Sequence, residues 1–407
     1  MLKLEWVPNG NPGKPGTDGY DAATDSLNLL TDTGLVPVQS FAKGVAGAAY
    51  VSRALKIALD QWIASVQASR IVVMAHGYQY DPADGDPGDD PYNLVYAVPS
   101  PAGTTDYHNS WLPLVGETDN FGNKGQEIAL SFAWISTGGV SQYEPAGWRN
   151  SYQYAALDLC PSAAKALATV LRYLNGSGKI IYILAHSLGT RLVSQAIGLL
   201  QSGVEDTNIQ RVVLLGGAEF RPDAKANLLN RGLEVINIGS QSDEVLQWGA
   251  DAACAPFRPI GSGTNVVVGR DGLEQVSDWL DLQIDLPDTI TWLKQQKYSV
   301  SATPDPATDG LHPAAGLGHW VYYMNNGATD HQDTPGGNRK LVTDLLADPE
   351  MDIDWFRKSG LAGIFGVGGY GQITVAPPVT PASYDDRVIL DNPQLANELG
   401  LSNDNTP

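Results

Sequence analysis

Cysteine is nearly missing: the 407 residues hold two, Cys160 and Cys254. Two cysteines make no disulfide framework, and these lie outside any metal-ligand spacing. The simplest reading is two small packing residues in a reducing compartment, with one bridge between them as the alternative. Basic residues are scarce as well, 25 Lys and Arg against 45 Asp and Glu, for a formal net charge of −20. Such a surface repels phosphate backbones and anionic lipid, which argues against nucleic acid or a membrane surface as partner. Acidity of this degree also keeps a protein soluble in salt, as a marine or halophilic source would require. No run of eighteen apolar residues occurs, so no transmembrane helix is expected. The segment Met1–Pro8 lacks the basic start and apolar stretch of a secretory signal, so a cytoplasmic location is expected. Secretion after removal of a signal is the alternative. Internal repeats are absent.

What is present reads as alternating strands and helices. The first forty residues are crowded with turn formers (Pro8, Gly10, Pro12, Gly13, Pro15, Gly16, Gly19) and suggest no clear strand. Helical spacing of apolar residues begins at about Ala46 and runs to Ala68. Ile71–Ala75 and Ile128–Trp134 are short apolar runs without alternation, the pattern of strands covered on both faces. A helix is expected from about Pro161 to Leu174, ended by Asn175-Gly176. Strands are expected over Lys179–Leu184, Arg211–Leu215 and Leu233–Ile238, with helices over Leu188–Leu200 and Asp223–Asn230 between them. That order is the signature of right-handed crossovers in a parallel sheet. Leu280–Leu286 alternates strictly and predicts a half-exposed edge strand.

The chemistry concentrates at Ile180-Ile181-Tyr182-Ile183-Leu184-Ala185-His186-Ser187-Leu188-Gly189-Thr190. A buried strand stops, Ser187 occupies a sharp turn, and a helix begins. Serine there takes strained backbone angles, and the residues two before and two after it, Ala185 and Gly189, must be small where strand and helix converge. The alternative is that Ser187 merely caps the helix. A second feature, Ala75-His76-Gly77-Tyr78, directly follows a buried strand, and Gly77 lets the backbone approach a ligand closely.

This turn resembles the nucleophile elbow of the α/β-hydrolase superfamily, whose usual pattern is Gly-x-Ser-x-Gly; here Ala185 replaces the first glycine and still fits sterically. The resemblance extends over roughly Ile71 to Tyr323. It implies a mostly parallel central sheet with helices on both faces and loop insertions forming a lid or cap. It also implies a lipase-like or esterase-like serine hydrolase with Ser187 as nucleophile. By the same resemblance the oxyanion donors are the amides of Tyr78 and Leu188. The acid should follow the strand after next, where Asp243 fits, with an N-cap as its other reading and Glu244 as rival. The base should follow the last strand. Of His312, His319 and His331, His319 fits best, preceded by Gly316-Leu317-Gly318 and followed by an apolar stretch. His312 is next. His76 precedes the serine in the chain and is not expected to be the base; His186 is expected to be structural.

The fifty residues after Tyr78 carry Tyr80, Tyr92, Tyr96, Tyr107 and Trp111 without clear periodicity. They suggest either a lid walling an acyl pocket, with His76, Gly77, Tyr80 and Trp111 facing the substrate, or an aromatic loop packed on its own core. Residues 253–270 suggest a second wall. The acidic run Asp81, Asp84, Asp86, Asp89 and Asp90 does not match the helix-loop-helix calcium pattern, so no metal and no cofactor are expected. A single catalytic domain over residues 1–370 and a Pro-rich acidic tail over 371–407 complete the expected organisation. The expected partner is a small acyl substrate. Ester hydrolysis leads; amide, thioester or acyl-transfer chemistry, or a silent ligand-binding relative, are the alternatives.

Overall fold

Apolar runs without alternation become strands buried on both faces. In β4 (Arg70–Ala75) the five residues from Ile71 are 0% exposed, and β5 (Ala129–Trp134) is equally covered. The computed structural model of the protein describes residues 1–7, 24–31, 34–42, 51–82, 90–96, 110–116, 128–137, 147–240, 243, 246, 267–273, 278–284, 286–298, 319, 323 and 338–359. The remaining strands are β1 (Leu2–Val7), β2 (Thr24–Thr31), β3 (Gly34–Ala42), β6 (Ile180–His186), β7 (Ile209–Leu215), β8 (Glu234–Gly239) and β9 (Trp279–Gln283). They join one sheet in the order β3-β2-β1-β5-β4-β6-β7-β8-β9. Pairing is parallel from β1 through β9, and antiparallel only where β2 meets β1 and β3.

Helices supply the crossovers that parallel pairing needs. Helix α1 (Arg53–Ser65) is started by Ser52, whose side chain accepts from the Leu55 N–H, and it buries Leu55, Leu59 and Trp62. Helix α2 (Gly147–Tyr154) runs through a π-helical turn (Ala155–Leu159) into α3 (Cys160–Asn175). Cys160 is a free buried thiol, and burial pushes its pKa up to about 12, which makes it inert rather than reactive. Helix α4 (Leu188–Gly198) presses Leu192, Val193, Ala196 and Ile197 into the core at 0% exposure. Each such aliphatic side chain larger than alanine contributes roughly 1.5–3 kcal/mol, so α4 is held firmly beneath the end of β6. Arg191 ties it further: Nε donates to the Ala156 carbonyl in the π turn at 3.1 Å and Nη1 to buried Glu219 at 2.7 Å.

Two expectations need correction. The first forty residues are not strand-poor: β1, β2 and most of β3 fall there, and β1 sits inside the sheet between β2 and β5. The turn-former cluster is the connection between β1 and β2 and hides them, because strand pairing is decided by distant partners rather than local composition. The alternating stretch after Asp278 is likewise not half-exposed. All five residues of β9 are buried, Asp281 and Gln283 included. Asp281 faces inward because it accepts from Trp279 Nε1 (2.6 Å), Asn237 Nδ2 (2.8 Å) and the Leu273 N–H (2.8 Å). These bonds offset a burial that still raises its pKa to about 6. Among the described residues no helix is long and apolar enough to cross a membrane.

Candidate active site

The parallel register sets the stage. His186 at the end of β6 lies opposite Leu215 of β7, and Ala185 lies opposite Ala75 of β4. Ser187 follows at once with φ 53° and ψ −125°, a region that serine rarely enters and that only surrounding structure can enforce. The enforcement is visible: its N–H donates to Leu215 O at 2.9 Å, and its carbonyl accepts from the Thr190 and Ala218 amides at 3.0 Å each. Although Ser187 stands at the N-cap of α4, its side chain makes no capping bond. The capping alternative is thus not realised, and the hydroxyl is left for something else.

The small residues expected around the turn have a geometric reason. A Cβ on Gly189 would press on the carbonyl oxygens of Ala75 and His76, so α4 touches the end of β4 backbone to backbone. A Cβ on Gly77 would lie 2.8 Å from Ser187 Cβ and 3.2 Å from His186 Nδ1. The loop after β4 therefore passes directly across the serine. That loop is laced to the end of β5 through Ser136. Ser136 Oγ accepts from the Tyr80 N–H at 3.0 Å, its amide donates to Tyr80 O at 2.8 Å, and its carbonyl accepts from Gln79 at 3.4 Å. Gln79 itself is held at φ 75°. Tyr78, next to Gly77, packs edge-on against Tyr152 with ring centroids 5.2 Å apart. Leu188 opens α4, and the first amides of a helix have no partner within it.

Asp243 follows β8 by four residues and is 0% exposed. Its two readings turn out to be compatible. Oδ1 accepts from the Leu246 N–H at 3.0 Å, as an N-cap does, while Oδ2 accepts from His319 Nδ1 at 2.7 Å. A third donor was not foreseen: the Tyr323 hydroxyl reaches the same Oδ2 at 2.8 Å. The buried carboxylate thus accepts three hydrogen bonds, one on Oδ1 and two on Oδ2. On the other side of the ring, His319 Nε2 is buried and has no hydrogen-bond partner among the described residues. With Nδ1 donating to the carboxylate, Nε2 of a neutral ring carries the lone pair. The His319 ring lies 4.8 Å, centroid to centroid, from the ring of His186, the residue before Ser187.

The other imidazoles near the turn are held neutral. His76 Nδ1 donates to Gly77 O at 3.0 Å and Nε2 accepts from the Trp134 N–H at 3.1 Å, which fixes the tautomer; burial holds its pKa down to about 3. His186 is lowered well below the usual histidine range by burial and then by His319. His76 is fully buried, and so is Trp111, whose ring stands edge-on to Tyr96 at 5.9 Å and to His186 at 6.4 Å. Tyr80 is half-buried, 4.7 Å from the His76 ring. Tyr96 donates to Met74 O at 2.9 Å and Tyr92 to Leu4 O at 3.0 Å. Over its described residues, then, the aromatic segment packs on the core and braces the ends of the strands. Of the proposed second wall, residues 267–270 are described: Val267 is extended and bridges to Phe220, and Val268–Asp271 form one turn of helix with Val268 and Gly269 buried. Glu244, Tyr107, His312, His331, Asp84, Asp86, Asp89, Cys254 and residues 371–407 lie outside the described residues. No group of three or more His, Cys, Asp or Glu among the described residues is arranged to hold a metal ion.

Sequence reasoning missed Tyr323 and Ser136. Tyr323 stands four residues after His319 in an apolar stretch, and nothing in its spacing advertises a hydroxyl aimed at a carboxylate. Gly216, a conspicuous glycine after β7, is its complement: a Cβ there would meet the Tyr323 ring at 2.5 Å.

Residues 114–246 match a family described as alpha/beta hydrolase of unknown function (DUF900). The matched span runs from the short turn before β5 to Leu246, holds Ser187 and Asp243, and stops short of His319. No curated protein matches the chain. In its mostly parallel nine-stranded sheet with helical crossovers the chain has the α/β-hydrolase fold, and the family match over residues 114–246 agrees with it.

Proposed function

We propose that the protein is a carboxylic-ester hydrolase that works through an acyl-enzyme on Ser187. The observation that carries this reading is the pairing of a serine held at φ 53° with no capping bond and a histidine bonded at 2.7 Å to a buried aspartate. An N-cap serine that merely starts a helix has no use for that strain, and the bond from His319 Nδ1 to Asp243 leaves Nε2 as the nitrogen that can take a proton.

In the proposed reaction His319 Nε2 removes the Ser187 proton as Oγ attacks the ester carbonyl carbon. The carbonyl π electrons move to oxygen, and the oxyanion is met by the amides of Leu188 and Tyr78. One such donor is typically worth about 3–4 kcal/mol in the transition state. Collapse expels the alkoxide, which takes the proton from the imidazolium, and water repeats the sequence to release the acid. Asp243 holds the tautomer and offsets the imidazolium charge. Ser187 and His319, both described, are not hydrogen-bonded to each other through Nε2. Such bonds commonly tighten only with substrate in place.

The test is labelling with a fluorophosphonate, followed by a series of p-nitrophenyl esters of rising chain length. Label at Ser187 that is lost in Ser187→Ala and strongly reduced in His319→Ala is expected. Undiminished labelling in His319→Ala, with loss in His312→Ala, would move the base to His312. Labelling without turnover of any ester would shift the reading to amide, thioester or acyl-transfer chemistry.

A further inference from the structure

We propose that Tyr323 is a positioning residue of this site: through Asp243 Oδ2 its hydroxyl fixes the carboxylate and sets the basicity of His319. The inference rests on the hydrolase reading above and deepens it.

Three donors converge on Asp243, and their division between the oxygens matters. Leu246 occupies Oδ1, while His319 and Tyr323 share Oδ2. Leu246 holds one oxygen and His319 the other; Tyr323 adds a second donor on Oδ2 that keeps this oxygen directed at the imidazole when the His319 bond loosens. Tyr323 is itself 0% exposed, with its ring seated over Gly216 where a methyl group would collide at 2.5 Å. Gly216 caps β7, and its amide donates to Ile238 O of β8 at 3.0 Å, so the seat is part of the sheet. The anchor thus transmits the rigidity of β7 and β8 to the acid and from there to the imidazole.

The hydroxyl also has an electrostatic effect. A donor on Oδ2 draws negative charge toward itself and weakens the pull of that oxygen on the imidazolium. Removing the hydroxyl leaves Oδ2 to His319, so the histidine becomes a stronger base. Among the described residues the titratable groups facing His319 are Asp243, His186 and Tyr323. His186 is held neutral by its burial and adds no charge. The shift therefore has one source.

The experiment compares the wild type with Tyr323→Phe, which keeps the ring over Gly216 and removes only the hydroxyl. Three quantities are read: ester kinetics against pH, the urea midpoint, and the His319 pKa by NMR of the 15N-histidine protein. Expected are a fall in kcat of about tenfold, one hydrogen bond to a charged group, and KM within about twofold. The acid limb and the His319 pKa should move up by about 0.5 pH unit. Wild-type kcat with an unmoved His319 pKa overturns the proposal. So does a loss of activity that follows the urea midpoint down while the pKa stays put, because that is a purely structural role. A wild-type protein that takes no label at Ser187 sinks the hydrolase reading instead, and the histidine titration still decides the case of Tyr323.

Discussion

Gly189→Ala isolates the contact on which the serine turn depends. Helix propensity alone favours the change, since alanine inside a helix is better than glycine by up to about 1 kcal/mol. Contact with β4 opposes it. The new methyl would sit 2.5 Å from Ala75 O and press equally on His76 O, where ordinary contact begins at 3.4 Å. Both atoms are backbone at the end of β4 and the start of the loop after it and cannot swing aside as a side chain can, so α4 must retreat by about 0.9 Å, the difference between those two distances. Forced overpacking of this kind typically costs about 1–3 kcal/mol. The net expectation is a loss of about 1–2 kcal/mol. A misplacement near 1 Å also costs on the order of 100-fold in rate when a nucleophile is moved. Gly198→Ala, at the other end of the same helix, is the control: the nearest atoms to its methyl belong to the Asn227 side chain rather than to backbone, and that side chain can turn away. Urea midpoints of the three proteins, with the rate of fluorophosphonate labelling, read both effects. A Gly189→Ala protein as stable as the wild type and labelled as fast would refute the close backbone contact and the argument built on it.

Two further outcomes follow from buried carboxylates. Glu5 of β1 is 1% exposed, and burial, with Asp90 and Asp81 nearby, raises its pKa from 4.5 to about 8. Below pH 4.5 folded and unfolded chains both carry it protonated. As pH rises to about 8 the unfolded chain ionises first, so stability is lost across that window. Glu5→Gln should therefore match the wild type at pH 4 and exceed it at pH 8.5, by at most about 5 kcal/mol at about 1.4 kcal/mol per pH unit; equal urea midpoints at both pH values would contradict this. Asp243→Asn should keep the Leu246 contact but present an amide where His319 needs an acceptor, lowering kcat by roughly 10³–10⁴-fold. Ester kinetics under saturating substrate decide it.

The parts of the fold legible in the sequence are those with local causes. A strand that must be apolar on both faces shows it in an unbroken run, as Ile71–Ala75 does, and a serine between such a run and a helix is read from three adjacent segments. The N-terminal strands have no such signal. β2 and β3 mix Asn28, Gln39 and Ser40 with apolar residues, include Pro37, and carry an irregularity in register at Leu27/Asn28. They exist because they can pair with each other and with β1. In β9 the alternation is real, but its polar residues face protein: Asp281 points to partners from β8 and its flanks, not to water. At the site, the order serine, aspartate, histidine can be read along the chain. Tyr323 cannot, because a tyrosine in an apolar stretch looks the same whether its hydroxyl meets a carboxylate or a carbonyl.

The place of β1 has a consequence for how the polypeptide matures. Leu2 is paired with Leu130, yet 127 residues must be synthesised between them. At about 5–20 residues per second the ribosome leaves that edge waiting for many seconds, with the β2–β3 hairpin as its one early companion. Deleting residues 2–7 would cut that hairpin loose and bare the flank of β5, an open template for a neighbouring molecule. Until β5 is made, β1 therefore has β2 alone of its two sheet neighbours to pair with.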